Sequence, residues 1–144
     1  MRAVILDTGP VIGLLSEDDE HHTATVAALK ASGRRGRKLC TIWEVIGEAY
    51  TLFRTRIASA RSADAALVVL HWARESGIEL LQTGESDHQR AAAILERYSQ
   101  LRLSYVDSLL MAIAERHRVE ELMTVDRRHF STVRLAHRMS VTPV

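Results

Sequence analysis

The sequence is poor in several features that would have placed it in a class at once. Its 144 residues hold one cysteine, Cys40, so no internal disulfide can form and nothing points to an oxidising compartment. Cys40 lies in a short apolar segment, as a small core residue does. No apolar run approaches the ~18 residues that cross a bilayer. The chain runs directly into Val4-Ile5-Leu6-Asp7, without the apolar core or small-residue cleavage site of a signal peptide, and a cytoplasmic location is expected. Repeats, low-complexity tracts and long linkers are missing too, which leaves one domain, 1–144. Net charge is scarce at +1, so composition does not announce a nucleic-acid binder. Lysine is almost absent: of the 19 basic residues only Lys30 and Lys38 are lysines. Arginine forks suit phosphate, but the same usage follows from genome composition and carries little weight.

What is present is an ordinary globular mixture, 47% hydrophobic and 26% charged. Ala3-Val4-Ile5-Leu6 is a continuous apolar run, the pattern of a parallel strand buried on both faces. Leu39-Cys40-Thr41, Ile78-Glu79-Leu80-Leu81 and Leu122-Met123-Thr124-Val125 read as further strands, and Met139-Ser140-Val141 as an edge strand before Pro143. Between them lie helical stripes: Ile42, Val45, Ile46, Ala49, Tyr50 and Phe53; Ala66, Val69, Leu70 and Ala73; Ala91, Ile94 and Leu95; Val106, Leu109, Leu110, Ile113 and Ala114. A further helix is expected over residues ~22–31. Strands alternating with helices predict an α/β fold, a central parallel sheet of four to five strands with helices on both faces. Strand C-termini and helix N-termini then meet at one sheet edge, where ligands bind.

Four acids fall at that edge. Asp7 and Asp126 directly follow strands, while Glu44 and Asp107 stand in the first turns of helices. Each alone has a structural explanation. Asp7 and Asp126 suit N-caps, Thr41-Ile42-Trp43-Glu44 reads as a capping box, and Ser104-Tyr105-Val106-Asp107 resembles one. Together they repel one another by more than a cap contributes, unless a cation neutralises them. Oxygen donors of this kind suit Mg²⁺ or Mn²⁺.

The same residues carry a family resemblance. Val4-Ile5-Leu6-Asp7-Thr8-Gly9-Pro10 is similar to the opening motif of PIN domains, and Thr41-Ile42-Trp43-Glu44-Val45 to their second acidic motif. The segments from Leu103 to Ala112 and from Thr124 to Phe130 resemble the third and fourth, in the right order over nearly the whole chain. The compact size resembles VapC-type toxins of bacterial toxin–antitoxin pairs. That resemblance implies a PIN-like fold, a Mg²⁺- or Mn²⁺-dependent endoribonuclease, a homodimer and a cognate antitoxin. It implies Asp7, Asp107 and Asp126 as metal ligands, with Glu44 acting through water. Thr8 and Thr124 would orient water, and the products would carry 5′-phosphate and 3′-hydroxyl ends. Two departures stand out: Gly9 replaces a common Ser or Asn, and His129 replaces a common further Asp, so one metal is expected.

Other features are weighed against plainer explanations. Arg127 and Arg128 follow Asp126 and are candidates to meet RNA phosphates. The run Arg34-Arg35-Gly36-Arg37-Lys38 precedes a strand, so it belongs to the opposite edge from the acids. His21 and His22 point to different faces and read as surface or capping residues rather than a metal site. Trp43 and Trp72 are expected to pack rather than to stack on bases. An exposed apolar groove between Ile42–Phe53 and Ala65–Ala73 is expected to receive a partner helix or second subunit. Val4-Ile5-Leu6-Asp7-Thr8-Gly9 also matches the aspartic-protease signature, but that class is almost entirely β. A haloacid-dehalogenase-like phosphatase would want Asp at position 9, where Gly9 stands. The remaining alternative is a PIN-like module that binds RNA or protein without cutting.

Overall fold

The computed structural model describes residues 1–56 and 62–144. Strands β1 (Ala3–Leu6), β2 (Lys38–Ile42), β3 (Glu79–Leu81), β4 (Glu121–Thr124) and β5 (Ser140–Pro143) form one sheet. Their order is β3-β2-β1-β4-β5, and every neighbouring pair is parallel. Parallel neighbours need crossover connections, and these are α1 (Thr8–Leu15), α2 (His22–Arg34), α3 (Trp43–Arg56), α4 (Ser62–Glu75), α5 (Glu85–Arg97), α6 (Tyr105–Arg116) and α7 (Arg127–Thr132). The α/β class, the parallel sheet and its five strands are as expected from the alternation of patterns.

The central strand β1 is fully buried along its length, which is why its run is apolar without alternation. At the outer edge, Ser140 N–H donates to Glu120 C=O just before β4 and Val144 N–H to Thr124 C=O at its end, so the nitrogen of Pro143 between them points away and no ladder bond is lost. Among the described residues, no helix is long and apolar enough to cross a membrane.

Two expectations are corrected. The apolar stripes of α3 and α4 (Val45, Ile46, Ala49 and Phe53; Ala66, Val69 and Ala73) are buried in the core. The groove expected between these segments is therefore filled from within, because stripes that face each other satisfy each other. Trp43 does not pack: it opens α3 with 46% of its surface exposed, whereas Trp72 lies against the core.

At the N-terminal edge of the sheet Glu121 is buried, and its carboxylate accepts hydrogen bonds from Ser32 Oγ at 3.0 Å and Thr142 Oγ1 at 2.7 Å. Arg35 and Arg37 complete its shell at 3.3 and 3.2 Å. The basic loop thus sits opposite the acids, as its place before β2 requires, and neutralises a buried charge there.

Candidate active site

Asp7 leaves β1 in an extended conformation and caps α1. One carboxylate oxygen accepts from Thr8 N–H at 2.8 Å, and the other from the Thr124 hydroxyl at 2.8 Å. Thr124 ends the neighbouring strand β4, so the parallel pairing of β1 with β4 aligns the hydroxyl with the acid. Asp107 stands in the first turn of α6 and forms the expected capping box. Its N–H donates to Ser104 Oγ at 3.0 Å, and its carboxylate accepts from Ser104 N–H at 3.2 Å. Asp126 precedes α7 without a side-chain cap bond and instead lies 3.0 Å from His129 Nδ1. These three acids line one cavity of 440 Å³ together with Thr8, Glu48, Ser104 and His129.

Glu44 is not among them. Its carboxylate accepts from the Thr83 hydroxyl at 2.6 Å, and it does not line the cavity. The expected capping box at Thr41 does not form either. Thr41 belongs to β2, and its hydroxyl donates to Leu6 C=O at 2.7 Å, tying β2 to β1. The acid that α3 brings to the cavity is Glu48, one helical turn on, whose carboxylate accepts from Thr8 Oγ1 at 2.6 Å. Glu44 and Glu48 are four residues apart on one helix face, so periodicity alone does not choose between them. The available signal was that Glu48 borders the buried stripe, between Val45 and Ala49.

The two threonines are engaged with carboxylates rather than free to orient water. Thr8 holds Glu48; Thr124 holds Asp7 and accepts from Asp126 N–H at 2.9 Å. Arg127 and Arg128 are exposed at the start of α7, beside the cavity but not lining it. His21 and His22 do not converge: His21 lies 3.2 Å from Glu20, and His22 Nδ1 bonds Gly13 C=O at 2.7 Å.

Burial, and after it the charge of Asp107, pushes the Asp7 carboxyl up from 3.8 to about 6. Asp107 is also raised by burial and by the charge of Glu48, against the lowering effect of its Ser104 donors. The cavity therefore concentrates negative charge where water screens it poorly. Among the described residues no three His, Cys, Asp or Glu side chains are gathered at ligating distance. Each carboxylate has a local partner, and an oxygen that accepts one hydrogen bond keeps a second lone pair for an ion. The donor chemistry, the carboxylates of Asp7, Glu48, Asp107 and Asp126 with those of Asp19 and Glu20 at the same cavity and no thiolate, fits a hard divalent ion such as Mg²⁺ or Mn²⁺.

The fold and these motifs have known counterparts. The PIN domain family model matches residues 4–135. The chain belongs to the PIN domain family. This PIN domain is 28% identical over 131 residues to Ribonuclease VapC26 of Mycobacterium tuberculosis, covering 91% of the chain and 92% of that relative. It superposes on the structure of Mycobacterium tuberculosis VapC20, a Sarcin-Ricin loop cleaving toxin. There the TM-score is 0.78 at 16% identity, over 90% of this chain and 95% of that one. It also superposes on VapBC2 from Rickettsia felis bound to a DNA fragment from its promoter, with a TM-score of 0.67 at 10% identity over 99% and 98% of the two chains. At such identities the structural likeness speaks for the fold.

Proposed function

We propose that this PIN domain is an endoribonuclease, the toxin of a toxin–antitoxin pair, dependent on Mg²⁺ or Mn²⁺. The observation that carries the reading is the convergence of Asp7, Glu48, Asp107 and Asp126 on one cavity in which burial and mutual repulsion raise Asp7 to about 6. Such an arrangement costs stability and has no structural benefit of matching size, so a cation-dependent role accounts for it. The ribonuclease relative supports RNA as substrate, and the toxin–antitoxin neighbours support a cognate antitoxin; a homodimer and a cytoplasmic location belong to the same reading.

When bound, the ion supplies Lewis acidity and neutralises charge on the phosphodiester. The chain's own groups do the positioning. Asp7, Asp107 and Asp126 would hold the ion, with Asp7 fixed at both oxygens by Thr8 N–H and the Thr124 hydroxyl. Glu48 takes the place first expected for Glu44: held at one oxygen by Thr8, it keeps the other to align the attacking water and accept its proton. Water attacks phosphorus, the bond to the 3′-oxygen breaks, and the products carry 5′-phosphate and 3′-hydroxyl ends. Arg127 and Arg128, exposed beside the cavity, are placed to meet flanking phosphates.

The test is incubation of the partner-free chain with a structured RNA and Mg²⁺ or Mn²⁺. Cleavage should disappear with EDTA and in Asp7→Asn, a near-isosteric change that removes one charge. Cleavage surviving both controls would sink the reading. RNA binding by a folded, metal-supplied chain without cleavage would instead favour the non-catalytic module.

A further inference from the structure

A cavity lined by six acids and a single arginine, Arg56, repels a polyanion, so groups that do not depend on charge are well suited to share the hold on RNA with the arginines beside it. Aromatic rings that stack on unpaired bases are such groups. Among the described residues six large hydrophobic side chains are exposed: Met1, Trp43, Leu67, Val68, Tyr105 and Val125. Three of them adjoin the cavity or the elements that build it. Val125 lines it, Tyr105 stands between the lining residues Ser104 and Asp107, and Trp43 opens the helix that delivers Glu48.

Tyr105 is exposed yet held in place. Its hydroxyl and His88 Nδ1 share a hydrogen bond, with ring centroids 5.8 Å apart and planes within 13°. Trp43 is anchored through its neighbour, because the bond from Thr83 to Glu44 ties the first turn of α3 to the entry of α5. That same helix carries His88. The two hydrogen-bonded pairs Glu44–Thr83 and His88–Tyr105, linked in sequence through the start of α5, make up a ridge with Trp43 beside Glu44 at one end and Tyr105 beside the cavity-lining Ser104 at the other. Neither exposed ring belongs to the core, and each keeps 46% of its surface exposed.

We propose that this ridge is a stacking platform for unpaired bases of the RNA substrate. Tyr105 with His88 takes the base nearer the scissile phosphate, and Trp43 takes one farther along the strand. The inference rests on the ribonuclease reading and deepens it: the substrate is single-stranded on this side of the cut. It also gives Glu44 a positioning role in place of the one it lost.

Binding is measured by fluorescence anisotropy on the Asp7→Asn chain with Mg²⁺. The ligands are labelled single-stranded octauridylate and a base-free ribose-phosphate octamer of equal length. Tyr105→Ala and Trp43→Ala should each weaken octauridylate binding about 5- to 100-fold and leave the base-free octamer unaffected. Tyr105→Phe, which keeps the ring, should stay within about threefold of the parent, with circular dichroism checking the fold of each variant. Equal binding of the two octamers, unchanged affinity in the alanine variants, or no octauridylate binding would each overturn the platform. So would a shift in oligomeric state by sedimentation with RNA affinity unchanged, which would make the ridge a contact between copies. Cleavage by the native Asp7 chain with KM unmoved in the alanine variants rejects the platform but leaves the ribonuclease. Ring-dependent binding without any cleavage does the reverse.

Discussion

Thr8 Oγ1 donates a 2.6 Å hydrogen bond to Glu48, joining the residue after the central acid to the middle of α3. The bond selects which of two acids on one helix face belongs to the cavity. Glu48→Gln should lower metal-dependent cleavage by about 100-fold or more, the range for loss of a positioned proton acceptor. Glu44→Gln, which keeps an acceptor for Thr83, should change it by no more than a few fold. Initial rates on one RNA decide it, and the opposite ranking would return the role to Glu44.

Asp7 makes stability and pH run together in a direction unusual for a carboxylate. Its folded pKa, about 6, lies above the ordinary 3.8 of an aspartate. The favourable contribution is therefore complete below about pH 4 and lost as pH rises through 6. In metal-free protein at pH 7.5, Asp7→Asn should be more stable than the parent by on the order of 2 kcal/mol, seen as a Tm several degrees higher. The gap should close toward pH 4.5, and Mg²⁺ or Mn²⁺ should narrow it by stabilising only the parent. A parent that is the more stable of the two at pH 7.5 without metal would refute this account.

The strands and three of the acids were legible because each was marked by strictly local signals. Asp7 and Asp126 stand at the end of apolar runs, and Asp107 sits in its own capping box with Ser104. Glu48 was not legible because its selection depends on Thr8, 40 residues away. The exposure of Trp43 was hidden for a similar reason. Its neighbours Ile42 and Val45 are both buried, Ile42 at the end of β2 and Val45 on the inner face of α3, while the indole between them is exposed. α1 announced itself only through its cap, since apolar residues surround it without a period.

Gly9 and Val125 occupy one space. A Cβ at Gly9 would lie 2.6 Å from Val125 Cγ2 and 3.2 Å from its Cβ, too close for a β-branched side chain to relieve by rotation alone. A serine or asparagine at this position would therefore press on Val125. Gly9→Ser should cost about 1–2 kcal/mol, and Val125→Ala should remove most of that cost in the double variant. Denaturation midpoints of the four proteins measure the coupling, and strict additivity would refute it.

Glu121 is a buried charge remote from the cavity. Burial raises its carboxyl, but hydrogen bonds from Thr142, Ser32 and Arg35 more than offset this and hold it below the usual range. Its contribution is present above pH ~4.5 and lost as pH falls through the folded value. Glu121→Ala should destabilise the fold by about 2 kcal/mol, less than for a fully buried pair because Arg35 is half exposed. The rate of RNA cleavage per folded molecule should not change. An equal loss of rate and stability would show that the two sheet edges are coupled.

The strand order also sets when the cavity can exist during synthesis. β1 is made first but lies between β2 and β4, and the hydroxyl that holds Asp7 belongs to residue 124. A nascent chain still missing β4 leaves the first acid beside an unpaired strand edge, without Thr124 or Asp126. The ribosome that makes this protein must therefore release β4 with Thr124 and Asp126 before any cutting centre can assemble beside its own RNA.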